Sequence, residues 1–260
     1  MNMKHEWMGV PEMLMKKLII NAGVILGILA AGLFMVIASG NIDVSFPYTA
    51  MLCMFAVTKW FQITGYDGPV IVGFLAAGLL GAFLGLINGV LAAWLKLPTL
   101  IITLGTSEMF YGMALTISGG RIMSFGGAFN AIGKTKLFQI FPVMLLVLAA
   151  MVVLSYILMN RTKFGRRIVA IGGNEKNAFL SGINIVRYKV ILYGIAGLFC
   201  SVAAIIFSAR IDSITANAGA GYETSALTAA IIGGVTFDGG KGTISGAFLG
   251  CVLMGVISNA

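Results

Sequence analysis

Six apolar runs, at about residues 17–39, 47–64, 69–95, 99–118, 138–160 and 188–209, set the limits on what this chain can fold into. Each is close to the roughly 20 residues that carry a helix across the hydrocarbon core of a bilayer. Two shorter apolar segments follow, at about 224–236 and 243–259. Charged residues make up only 10% of the chain, against about 25% in soluble domains. Alternating, strand-length segments are lacking, which argues against a β-barrel. The 35 glycines and 15 methionines suit close-packed helices instead. The expectation is an all-α integral membrane protein, a polytopic bundle of about 6–8 transmembrane or partly spanning helices with a short cytoplasmic helix. The second run is the weakest. It contains Lys59, and Gly40, the polar stretch NIDVS and Pro47 stand at or before its start, so it reads as a broken or partly re-entrant helix.

Charge is concentrated in one loop, residues 161–189, which holds seven of the 17 Lys/Arg and a single acid, Glu175. A basic loop between spans belongs on the cytoplasmic side. Counting spans outward from it puts 119–137 outside and 96–98, with Lys96, inside. If the second run crosses fully, the N-terminus falls outside together with Lys4, Lys16 and Lys17, against the positive-inside rule. Residues 1–16 read as a polar N-terminal segment and 17–260 as one transmembrane domain. Within the basic loop, Asn174 is placed to cap a helix and Gly182 to end it in a left-handed conformation. The two turns between them present Ala178, Phe179 and Leu180. Such a helix, held outside the bilayer, suits docking to a soluble partner.

The third run repeats small residues every fourth position: Gly73, Ala77, Gly81, Gly85, Gly89 and Ala93. The first repeats the pattern with Gly23, Gly27 and Ala31. In lipid a stripe of this kind lets helix backbones approach closely, and Asn88 borders it. Polar residues at membrane depth are costly and normally face the bundle interior or a wet cavity. The candidates for a solute pathway are Asp43, Asn88, Thr103, Ser107, Glu108, Asn217 and Glu223, with Thr106 and Tyr111 nearby. Thr103, Ser107 and Tyr111 share a face at four-residue spacing. Hydroxyls, amides and an occasional carboxylate would replace the lost water bonds of a polyhydroxylated solute one at a time; the alternative is that each bonds a neighbouring carbonyl.

Enzyme chemistry finds little footing. The one histidine is His5, and Cys53, Cys200 and Cys251 are isolated in apolar stretches, so neither a metal cluster nor a Ser–His–acid set can be assembled. The glycine-rich stretch 233–250, GGVTFDGGKGTISGAFLG, fails as a phosphate loop. Val235 stands where the first glycine is needed, and Gly242 where the Ser or Thr must follow the lysine. It reads instead as a tight turn joining two short membrane segments, with Gly242, Gly246 and Gly250 as a further small-residue stripe.

At this point the motifs carry a likeness. GRRIVAIGGNEKNAFLSGI (165–183) and NAGAGYETSALTAAIIGGVTFDGGKGTISGAFLG (217–250) resemble the membrane permease subunit of bacterial ribose-type, monosaccharide ATP-binding-cassette importers. PTLIITLGT (98–106) and SGNIDVSF (39–46) are similar to the same family. The resemblance implies a permease that pairs with a second copy or a sister subunit. A cytoplasmic ATPase would dock on a coupling helix spanning Asn174, Glu175, Ala178, Phe179, Leu180 and Gly182, and an extracytoplasmic sugar-binding protein would deliver the cargo. It implies no cofactor in this chain, with ATP and Mg on the ATPase, and placement in the bacterial inner membrane. The chain departs from the family in having Asn177 and Phe179 in the coupling helix, NIDVSFP at 41–47, and Tyr111 where Arg is common. It looks short at both ends beside the family. The competing expectations are a permease for a nucleoside or furanosyl autoinducer, and an ion-coupled secondary transporter using Glu108.

Overall fold

The computed structural model describes residues 12–66, 68–95, 97–124, 136–137, 141–211 and 214–257. Most of the polar segment 1–16, His5, Lys96 and the greater part of the outer loop 119–137 lie outside them. Among the described residues ten α-helices follow in order: α1 (Glu12–Ala38), α2 (Phe46–Thr64), α3 (Val70–Trp94), α4 (Thr99–Ser118), α5 (Val143–Tyr156, continuing as a π turn through Arg161), α6 (Lys163–Gly173), α7 (Glu175–Leu180), α8 (Ile185–Ile211), α9 (Tyr222–Ile232) and α10 (Ile244–Ile257). A 3-10 turn, Ala216–Gly219, precedes α9, and the strands among the described residues are a two-residue pair, Lys136–Leu137 with Phe141–Pro142. The protein is an all-α polytopic membrane bundle.

Among the described residues, four helices are long and apolar enough to cross a membrane: α3, α4, α5 with its π turn, and α8. Helix α8 is the central pillar, with 72% of its most apolar stretch buried, against 28% for α3 at the periphery. Its contact with α3 is made backbone to backbone. A Cβ added at Gly89 would lie 2.7 Å from Val190 Cα, and Cβ atoms at Gly81 and Gly85 would strike the carbonyls of Gly197 and Tyr193. The stripe on α3 is thus half of a joint whose other half is Gly197 and Gly194 on α8. Helices α9 and α10 close on each other in the same way, Gly246 and Gly250 lying against the carbonyls of Gly233 and Ala229.

Helix α2 crosses the bundle, correcting the expectation of a re-entrant segment. Its first residues adjoin the inner ends of α1 and α4, and near its far end Gln62 Nε2 donates to Ser124 O (3.4 Å) beyond the outer end of α4. Low hydropathy is tolerated because α2 runs inside the protein. Thr49 and Thr58 are buried and bond the carbonyls of Ser45 and Met54 within the helix, and Lys59 is exposed near the outer end. The two threonines are thus kept from lipid, and the exposed polar groups of α2 lie toward its far end. Helix α1 therefore ends, at Ala38, at the end of the bundle that carries Gly172 of α6. Two boundaries also shift. Helix α1 begins at Glu12 rather than 17, and α5 at Val143 rather than 138, because Phe141–Pro142 is taken up in the strand pair.

Candidate functional site

The basic loop folds into two helices, of which the sequence revealed one. Its first half is α6, whose N-terminus is capped by Thr162, with Oγ1 accepting from the Gly165 N–H at 3.2 Å. Helix α6 turns Gly165, Ile168 and Ile171 inward and leaves Lys163, Arg166 and Arg167 exposed. Asn174 ends α6 and starts α7, its side-chain oxygen accepting from the Asn177 N–H at 2.9 Å. Gly182, at φ +79°, closes α7, the N–H groups of Gly182 and Ile183 returning to the carbonyls of Phe179 and Ala178. Ala178 is buried beneath the helix. Phe179 and Leu180 are 67% and 73% exposed.

Three contacts hold this unit to the pillar. Lys189 Nζ donates to both Glu175 oxygens at 3.1 and 3.2 Å; Arg167 donates to Tyr188 Oη, and Phe164 lies 5.7 Å from the Tyr188 ring. Asn184 caps α8 through the Arg187 N–H at 3.0 Å. An open cleft of about 680 Å³ lies between α7 and the start of α8, walled by Phe179, Ile183, Val186 and Ala93.

Above the inner face, residues 41–45 run unwound beside the start of α4. Thr99 Oγ1 accepts from the Ile42 N–H (3.0 Å) and Thr103 Oγ1 from the Val44 N–H (3.2 Å). Asp43 Oδ1 accepts from the Ser45 N–H and hydroxyl at 2.8 and 2.7 Å, and Asn88 Nδ2 donates to Ser45 Oγ at 2.6 Å. Asp43, Ser45 and Asn88 are therefore joined in one buried network, and Thr103 braces the neighbouring backbone at Val44. Their bonds are spent inside the chain, apart from Asn88 Oδ1, which is buried without a partner. Unwound backbone at membrane depth survives only when satisfied in this way.

A second group lies farther along the same two helices. Tyr48 of α2 and Tyr111 of α4 meet edge to face, ring centroids 5.6 Å apart and each half-buried. Glu108 and Glu223 both lie within electrostatic reach of the Tyr48 phenol. The segment before α9 comes down to this level, since a Cβ at Gly219 would meet Met51 Cγ and Pro47 O at 3.1 and 3.2 Å. Helix α9 then starts inside the bundle, with Glu223 in its first turn. An acid there is favoured by the helix dipole, yet Glu223 Oε2 is buried without a partner. Asn217 is exposed in the 3-10 turn.

The remaining candidates divide. Ser107 is buried and donates to Leu104 O of its own helix at 2.6 Å. Glu108 is exposed on the surface of the single chain rather than buried, because it points away from the face that Thr103, Ser107 and Phe110 press onto the bundle. Tyr48, Ser45, Thr99 and Lys189 were not singled out from the sequence. Ser45 lay in the polar run already suspect. Nothing local to Tyr48 marks it, since its meaning comes from Tyr111, 63 residues away.

Membrane-crossing helices around a central pillar, with a buried polar network and a capped helix exposed at one end, define a multi-pass membrane protein. Residues 17–260 match the family described as branched-chain amino acid transport system / permease component, and the chain belongs to that family. It is 35% identical to the ribose import permease protein of Bacillus subtilis strain 168 over 236 residues, covering 90% of this chain and 72% of the relative. It is 34% identical to the L-arabinose transport system permease protein of Escherichia coli K12, covering 90% and 70%. The autoinducer 2 import system permease protein of Yersinia enterocolitica is 33% identical, with 91% and 65% covered. No solved structure matches.

Proposed function

We propose that this chain is the permease subunit of an ATP-binding-cassette importer for a monosaccharide, a pentose, hexose or related polyhydroxylated solute. It takes its energy from a separate cytoplasmic ATPase, which carries the ATP and Mg, and its cargo from an extracytoplasmic binding protein. It supplies no catalytic step of its own. The observation that carries the reading is the likeness to ribose and arabinose permeases over nine-tenths of the chain, in which the docking helix is included.

The geometry supports the docking helix and the solute path. Two large apolar side chains, Phe179 and Leu180, stand exposed on a capped helix outside the bilayer, which suits burial against a protein partner. Glu108 projects outward from the middle of a span, where a carboxylate facing lipid costs about 2.5–3.5 kcal/mol even on the lower scales. A wet path, shared with a second permease copy, removes that cost. The path then runs along α4 past Ser107, Glu108 and Tyr111, with Tyr48, Asn217 and Glu223 opposite. Phenol rings give the apolar faces of a sugar ring a surface, and the carboxylates accept from its hydroxyls. Asp43, Asn88 and Thr103 brace the wall behind.

The likeness to the autoinducer 2 permease favours a second cargo, a small oxygenated signalling molecule. The experiment is to purify the chain with its ATPase and binding protein in liposomes and measure ATP turnover with D-ribose, L-arabinose and autoinducer 2. Stimulation by one of the sugars is expected. Stimulation by autoinducer 2 alone favours the second reading. Solute uptake driven by an ion gradient without ATPase contradicts both.

A further inference from the structure

We propose that Gly172, Gly239 and Gly240 form the mechanical joint that carries movement of α7 to both unwound segments of the bundle. The inference rests on the reading that a partner ATPase acts on α7. Three segments distant in sequence meet at the inner face: the end of α1 (Ala38–Gly40), the end of α6 (Gly172–Gly173) and the turn between α9 and α10 (Gly239–Gly240). They meet backbone to backbone. A Cβ on Gly172 would strike Ala38 O and lie 2.7 Å from the Gly240 nitrogen. One on Gly239 would lie 3.0 Å from Gly172 Cα, and one on Gly240 would lie 2.7 Å from Gly173 Cα. The Gly240 N–H donates to Ala38 O at 3.0 Å, fixing the register of the turn on α1.

Close packing without intervening side chains leaves no rotamer change to absorb a shift, so displacement of one backbone displaces the others. The joint also stands at the right places in the chain. Asn174, the cap of α7, follows Gly173 directly. On the α1 side the chain continues into 41–45, which hold the Asp43–Ser45–Asn88 network. On the third side, α9 leads from the turn back to Glu223 in its first turn. The glycine-rich stretch that failed as a phosphate loop thus has a use. Its glycines at 239 and 240, at φ +77° and +68°, shape a turn that lies flat on α6.

Neighbouring glycines provide the test. A Cβ at Gly173 would meet nothing within 4 Å, whereas one at Gly172 enters the joint. Alanine is the better helix former at both positions, so the two variants differ in the joint alone. In liposomes containing the full permease, ATPase and binding protein, with radiolabelled D-ribose as probe, Gly172→Ala should keep ATPase co-purification and ATP hydrolysis. Its uptake per ATP should fall at least tenfold, while Gly173→Ala stays within twofold of wild type. An unchanged ratio in Gly172→Ala, or an equal loss in both variants, overturns the proposal.

Should Gly172→Ala fail to assemble, hydrogen–deuterium exchange on the wild-type complex decides. On replacing ADP by a non-hydrolysable ATP analogue, peptides spanning 38–45, 172–182 and 236–243 should change protection together. A change confined to 172–182 overturns the joint. A wild-type complex with no coupled ATP turnover counts against the function proposed above, whereas an active wild type with an indifferent Gly172→Ala counts against the joint alone.

Discussion

Asn88 borders the α3 stripe, and its side chain turns onto Ser45, at the N-cap of α2, so it lies buried where the two helices meet. Asn88→Ala should lower stability by about 0.5–1.5 kcal/mol, the net worth of one lost hydrogen bond, since Ser45 Oγ keeps its bond to Asp43, read as a lower Tm of the purified permease in detergent. Phe179 behaves oppositely. It is exposed, so Phe179→Asp should leave expression and Tm unchanged while abolishing co-purification of the ATPase. Glu108 was legible as a functional candidate from its residue type and depth, but its exposure was not. Which face of α4 meets the bundle depends on α2, and no local pattern in 99–118 encodes that.

Elements whose information is local were legible. The Asn174 cap and the left-handed Gly182 emerge where their residue types place them, and the four-residue glycine period on α3 marks a close approach of two backbones. Gly85→Val should therefore force α3 and α8 apart at the Tyr193 carbonyl. Overpacking of this kind costs roughly 1–3 kcal/mol or more, measurable as a loss of well-dispersed protein on size-exclusion chromatography and a lower Tm. Helix α6 escaped notice because its residues, KFGRRIVAIGG, combine three cations with three glycines. Its stability comes from burying Ile168 and Ile171 and from Tyr188 against Arg167 and Phe164, which are tertiary effects. Helix α2 was misread for the same reason in reverse. A span wrapped by other helices needs no apolar exterior, so hydropathy underestimates it.

At the scale of the whole molecule, the unwound segment 41–45 and the 3-10 turn before α9 both lie against α4, and the glycines Gly172, Gly239 and Gly240 tie both to the capped helix. The order of spans puts Phe179 and Gly240 on one side of the membrane and Thr64, Gly119 and Ile214 on the other. Single cysteines at 64 and 179, in a background lacking Cys53, Cys200 and Cys251, should label from opposite faces of sealed cells with an impermeant maleimide. Labelling of both from one face would dismantle the topology.

The central claim is that work delivered to α7 by a nucleotide-hydrolysing partner moves a sugar through this bundle. Its most direct measurement is uptake of radiolabelled sugar into proteoliposomes containing permease and binding protein, with ATPase and ATP either present or omitted. The account predicts uptake only when all are present, and its loss in Phe179→Asp. Sugar accumulation against a gradient with the ATPase omitted, or undiminished in Phe179→Asp, would contradict it.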